Sequence, residues 1–227
     1  MKGTILLVVT SHQRLGDSGQ GTGAWVEELA QAYHTVADAG YAVEIASPSG
    51  GRAPLDPTSC EATWLSETGK RFLGDATAMG QMAATRALAS VVPDRYSGIY
   101  LVGGAGAVWD MPNCAPLGAL IAKMLAAGRP VAAVCHGVSG LASARTAEGE
   151  PIVKGRKVTA FSNVEEEQVG YVPLLPLLPE NLLRSLGADY TCADPWKECV
   201  ITDGMLLTGQ NPASAAPLAR ALLIHTS

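Results

Sequence analysis

PVAAVCHGVSGLASA, residues 130–144, is the stretch on which the reading of this chain turns. An apolar strand, residues 130–134, runs straight into Cys135-His136-Gly137, and residues 137–144 follow as a small-residue helix. This is the strand–nucleophile–helix order of an elbow. A residue at such a turn takes an unusual backbone conformation that pushes its side chain outward. The following helix aims its N-terminal N–H groups and positive dipole end at the sulfur. Both are expected to favour thiolate, the nucleophilic form. Gly137 and Ser139 are expected to leave room for a substrate, and His136 to accept a proton. A lone cysteine at a strand end is otherwise an inert core thiol; the elbow context tips Cys135 toward chemistry.

Working outward, residues 4–10 form an apolar, β-branched run that suits a buried parallel strand. Residues 11–23 are polar and Gly-rich, a surface loop. Residues 24–39 have helical spacing, with Trp25, Leu29, Ala32, Tyr33 and Val36 on one side and Gly40 as the stop. Residues 42–46 read as a second strand and 48–57 as a turn-rich loop. Residues 59–92 hold two or three short helical segments without a strong strand, predicting a cap or insertion over the sheet edge. Residues 98–102 are a third strand, followed by the loop GGAGAVWDMP. Residues 115–127 predict a helix ended by Gly128, residues 157–161 a further strand, and residues 181–186 a helix ended by Gly187. Residues 200–207 predict a hairpin turning at Asp203-Gly204, and residues 213–224 a terminal helix. Strands alternating with helices predict an α/β fold with a mainly parallel sheet covered on both faces. With no repeat or linker, residues 1–227 read as one domain.

Composition narrows the function classes. The 227 residues are 48% hydrophobic and 16% charged, enough apolar material for one sizeable core. The net charge of −5, with signs mixed along the chain, makes a nucleic-acid partner a poor expectation, because such partners need a basic face. No apolar run reaches the length of a membrane span. The opening MKGTILLVVT has the outline of a signal peptide, but the run is short and no small-residue cleavage pattern follows directly. A buried first strand explains it better, and cytoplasmic residence is expected. The five cysteines, Cys60, Cys114, Cys135, Cys192 and Cys199, are irregularly spaced and contain no C-x-x-C pair, so they read as reduced thiols. Cys114 stands near a helix start but has no adjacent base. The histidines, His12, His34, His136 and His225, form no H-E-x-x-H pattern. Nothing argues for a metal or a cofactor.

Two further elements belong with the elbow. Gly103-Gly104 follows the third strand at the same carboxyl edge, where open α/β sheets bind ligands. A backbone N–H there would stabilise an oxyanion formed at the thiol's target. Glu27 and Glu28 open the first helix, also at this edge, and periodicity points one of them inward. Glu165, Glu166 and Glu167 follow the strand at 157–161; taken alone, such a run is a solvated face.

Taken together, VAAVCHG, TGAWVEEL, IASPSGG with PLDP, LVGGAGAVWDMP, TAFSNVEEEQVG and TGQNPASAAPLA resemble the ThiJ/PfpI superfamily, closest to its branch of glutathione-independent glyoxalases and heat-shock chaperones. The resemblance covers nearly the whole chain. It implies a flavodoxin-like sandwich related to class I glutamine amidotransferase domains. It also implies Cys135 as nucleophile, His136 as its neighbour, Glu166 as the third triad member and Glu28 as the buried acid beside the sulfur. Backbone amides of Gly104 and His136 would form the oxyanion site, while Glu165 and Glu167 keep the solvated reading. Many relatives carry Gly-Gly-His-Gly where this chain has Gly103-Gly104-Ala105-Gly106, so Ala105 removes an imidazole from the pocket rim. The paired histidines that bind metal in some chaperone relatives have no obvious equivalent.

The expected function is a cysteine-dependent, cofactor-independent glyoxalase that converts methylglyoxal or related 2-oxoaldehydes to 2-hydroxy acids. The same site suits a cysteine hydrolase or an isonitrile hydratase. A non-enzymatic reading makes Cys135 a redox sensor oxidised to sulfinic acid, or makes the chain a holdase with Trp64, Leu65 and Phe72 in an apolar patch. The expected partner is a small carbonyl compound, and the resemblance implies a homodimer.

Overall fold

The computed structural model describes residues 2–226. A seven-stranded sheet has the order β3-β2-β1-β4-β5-β9-β8, built from β1 (Thr4–Val8), β2 (Ala42–Ser47), β3 (Arg86–Ala87), β4 (Gly98–Leu101), β5 (Val131–Val134), β8 (Val200–Asp203) and β9 (Leu206–Gly209). Every pairing is parallel except β8 with β9. The helices are α1 (Val26–Asp38), α2 (Glu67–Gly74), α3 (Ala76–Ala83), α4 (Ala107–Asp110), α5 (Ala115–Ala126), α6 (Asn163–Val169), α7 (Pro179–Ser185) and α8 (Ala215–Ile224). The flavodoxin-like α/β expectation holds.

Alternate residues of the central strands feed two cores. Leu6, Val8, Ile99 and Leu101 pack with Leu117, Ile121 and Met124 of α5 and Leu183 of α7. Ile5, Leu7, Tyr100 and Val102 pack with Leu29 and Val36 of α1 and Leu218 and Leu222 of α8. Burial on both faces explains why β1 reads as an unbroken apolar run rather than an alternating one.

Strand order reverses between β1 and β4: β2 and β3 lie on one side, β5, β9 and β8 on the other. The carboxyl ends of β1 and β4 therefore diverge and leave the crevice in which such folds bind ligands. The elbow stands at the end of β5, one strand away.

Several expectations change. Residues 157–161 contribute only β6 (Lys157–Val158), which pairs with β7 (Asp189–Tyr190) in a separate two-stranded sheet. After Cys135 the chain runs as a nine-residue 3₁₀ segment, Cys135–Ser143, where an α-helix was expected. The stretch 59–92 holds α2 and α3, and it also ends by adding β3 to the sheet edge, Ala46 opposite Arg86. Its helices start on side-chain caps: Ser66 accepts from the Thr68 and Gly69 amides, and Asp75 from those of Thr77 and Ala78. Phe72, a patch residue only on the holdase reading, is fully buried against Tyr33 of α1, as core packing predicts for such a side chain, while Trp64 is exposed. The hairpin expected at 200–207 is present, but its two-residue turn is Gly204-Met205, one position beyond the Asp203-Gly204 expected, because Asp203 pairs with Leu206.

Candidate active site

Cys135 has φ +56, one of two non-glycine residues with positive φ among those described. A side-chain-bearing residue in this region is strained and persists only where its surroundings dictate it. Here they do. Gly137 lies so close to β4 that an added Cβ would stand 2.6 Å from the Val102 carbonyl oxygen and 2.8 Å from that of Leu101. The Ser139 hydroxyl, fully buried, donates to the His136 carbonyl at 2.7 Å. Gly137 and Ser139 thus clamp the turn; the room expected of them for a substrate is not where they stand.

The sulfur is almost enclosed, 3% exposed. Its Sγ lies 3.2 Å from His136 Nδ1, and His136 Nε2 donates to Glu166 Oε1 at 2.7 Å. With Nε2 carrying the proton, Nδ1 presents its lone pair to the thiol. Burial disfavours the His136 cation, but the adjacent Glu166 charge and hydrogen bond outweigh it and raise its pKa. Burial, and then the neighbouring Glu28, push the Cys135 thiol well above its ordinary range. This direction runs against the expected resting thiolate, because full desolvation and a neighbouring carboxyl group oppose the 3₁₀ terminus. His136 is aligned on the sulfur as a base.

Glu28 is fully buried on the first turn of α1, and neither carboxyl oxygen has a hydrogen-bond partner. Burial raises its pKa from the ordinary 4.5 to about 7, against the lowering effects of Cys135 and His136. Gly103 makes its position possible, because an added Cβ there would collide with Glu28 Oε2 and come within 2.8 Å of the Cys135 Cβ. Gly104 has φ +105 and borders the cavity, with the chain at Gly23–Trp25 pressed against it. Glu27 turns the other way and accepts from the Ser66 hydroxyl at 2.7 Å, tying α1 to the start of α2.

The glutamate run divides differently from expectation. Glu165 and Glu166 are both fully buried, and Glu167 alone is exposed. Glu165 completes a capping box with Ser162 and accepts from the Trp196 amide, Gln210 Nε2 and Asn211 Nδ2 at 2.8–3.0 Å. It anchors α6 to the chain beyond β7 and β9, and so sets where Glu166 points. A helix turns about 100° per residue, so three consecutive glutamates cannot share one face.

A cavity of about 630 Å³ opens above Cys135 and His136. Trp25 and Trp64 meet edge to face on its wall at 5.6 Å, and Phe161 meets Trp196 in the same way at 5.6 Å. Phe161 also packs on the His136 ring at 4.8 Å. Ala105 borders the cavity. Sequence reading missed Trp196, the second strained residue, with φ +64; it lies in a loop without periodicity, and no local signal marks it.

Known proteins resemble this chain in sequence and in fold. The glutathione-independent glyoxalase HSP31 of Saccharomyces cerevisiae is 30% identical over 93% of this chain and 92% of its own length. The X-ray structure of the Francisella tularensis Rapid Encystment Protein 24 KDa superposes with a TM-score of 0.95 at 33% identity, covering 99% of each chain. The crystal structure of Candida albicans glyoxalase III superposes with a TM-score of 0.90 at 25% identity, covering 99% of this chain and 97% of that one. The sequence model described as the DJ-1/PfpI family matches residues 22–225, so this chain belongs to the DJ-1/PfpI family.

Proposed function

We propose that the protein is a glutathione-independent glyoxalase that converts 2-oxoaldehydes such as methylglyoxal, with water, to 2-hydroxy acids. The observation that carries this reading is the hydrogen-bonded line Cys135–His136–Glu166 with the buried acid Glu28 beside the sulfur. An acyl-transfer enzyme needs only the line of three; moving a proton between adjacent carbons also needs a group that ionises near neutrality. The names of the yeast relative and of the Candida structure support the same reading.

In the proposed sequence His136 Nδ1 takes the thiol proton as Sγ bonds to the aldehyde carbon. The carbonyl oxygen becomes an alkoxide near the Gly104 and His136 amides, then takes a proton to give a hemithioacetal. Glu28, as carboxylate, removes the hydrogen on that carbon, the electron pair moves toward the ketone, and the enediolate takes the proton of the neighbouring hydroxyl onto its second oxygen. Glu28 returns the carbon-bound proton to the second carbon as the first oxygen closes to the carbonyl of a thioester. Water adds to the thioester with His136 as base, the C–S bond breaks, and the hydroxy acid leaves as the thiol is restored. A group with a pKa of about 7 suits both removal and return of a proton at neutral pH. One domain over the whole chain, with residues 59–92 as its cap, a homodimeric assembly and cytoplasmic residence belong to the same proposal.

The test is methylglyoxal with neither glutathione nor added metal, following dicarbonyl loss and lactate formation in wild type and in folded Cys135→Ala. Lactate from wild type alone supports both the reaction and the nucleophile. Absence of turnover in wild type overturns the reading.

A further inference from the structure

Methylglyoxal is far smaller than a cavity of about 630 Å³, which leaves room for a larger substituent against the remaining walls. Their chemistry is one-sided. Two aromatic pairs, Trp25 with Trp64 and Phe161 with Trp196, supply ring faces and edges. The acidic side chains on the wall are Glu27 and Asp56. Among the described residues that border the cavity there is no lysine or arginine, and His136 is the one basic side chain. Asp56 is 1% exposed; its oxygens accept from the Thr22 hydroxyl and the Thr58 amide at 2.9 Å, so it has hydrogen bonds but no counter-cation. Glu27 is held by Ser66 and Gln31, again with no cation.

We propose that the outer cavity binds a cationic group, an amine or quaternary ammonium, between its tryptophans and its acids, so that the favoured substrate is a 2-oxoaldehyde bearing a positive charge. Aromatic faces attract cations through the ring quadrupole, and the attraction grows on desolvation. Uncompensated carboxylates add to it across a low-dielectric space. The same field disfavours a carboxylate, which is what the reaction leaves behind, so it also hastens departure of the hydroxy-acid product. Trp196 is the specificity residue least replaceable here. Its backbone strain is held by the Glu165 bond to its amide, and its ring is held by donation from Nε1 to Gln168 at 2.5 Å.

The substrate-class statement rests on the glyoxalase reading, whereas cation binding does not. Two measurements separate them. Calorimetry with choline and its neutral isostere 3,3-dimethylbutan-1-ol tests the cavity alone. Choline is expected to bind roughly tenfold tighter, and the difference is expected to shrink in Glu27→Gln and in Trp196→Leu. Equal binding, or none by either probe, overturns the inference. Turnover is then compared for phenylglyoxals carrying para trimethylammonium, tert-butyl or carboxylate groups. A falling kcat/KM in that order supports the substrate class, and a flat or reversed order overturns it. No turnover of any of the three beside normal turnover of methylglyoxal also overturns the substrate class, whereas no turnover of methylglyoxal either, with choline still preferred, removes the glyoxalase reading and leaves the cation site.

Discussion

At the scale of the residue, a carboxyl group that would be charged in water is buried beside a thiol. Glu28 has an ordinary pKa of 4.5 in the unfolded chain and about 7 in the folded one. Between those values the folded protein holds the extra proton, so stability falls as pH rises from about 4.5 to about 7 and is level above. The effect is worth about 3 kcal/mol for a fully buried group. Glu28→Gln is therefore expected to match wild type in denaturant titrations at pH 4 and to exceed it at pH 8. An equal difference at both pH values would remove burial as the cause. In turnover, the wild-type rate is expected to climb through about pH 7 as Glu28 ionises, and the glutamine variant to lose that limb together with most of its activity. Glu166→Gln keeps the volume but weakens the orientation of His136, with kcat expected to fall roughly 10²-fold or more at unchanged far-UV dichroism. The identities of these four groups were legible in the sequence, because the Cys-His-Gly elbow and its companion motifs are local strings. The protonation of the thiol was not legible, since it depends on burial by residues distant in the chain.

The element that matters most after the elbow is α6. Seven residues long, it has no large apolar face of its own, and it holds its place through Glu165. Glu165→Ala strips the partner from several buried donors at once and is expected to cost about 3 kcal/mol or more in chemical denaturation, with activity lost through Glu166. The sequence showed an acidic run and no helix, because the capping box and the donors at 196, 210 and 211 come together only in the fold. The elbow itself depends on Gly137. Gly137→Ala is expected to destabilise by about 1–3 kcal/mol through the Leu101 and Val102 carbonyls, and to lower activity by shifting the sulfur. Retained activity and stability would mean the turn has slack that the contacts do not show. The strand at 157–161 was misplaced because its apolar character fits a small outlying sheet as well as the main one; periodicity reports burial, not which sheet provides it.

Over the whole molecule, most of the parallel sheet was readable from alternating strands and helices, while the two-residue strands β3 and β7 fall below what a pattern can mark. The α2–α3 segment is fastened by Phe72, which packs into the face made by α1. Phe72→Ala is expected to lower stability by about 3–5 kcal/mol, seen as a lower melting temperature, and to loosen the Trp64 side of the cavity. The strand order carries a further consequence. β5, which bears the nucleophile, is flanked on one side by β4 and on the other by β9, whose residues 206–209 come about seventy positions later in the chain. Glu165 likewise waits for Gln210 and Asn211. During synthesis the cysteine therefore leaves the ribosome long before its second neighbouring strand and the anchor of its helper exist. A nascent or C-terminally clipped chain carries an ordinary, accessible thiol, and the protein acquires its enclosed, aligned sulfur only when its closing segment has been added.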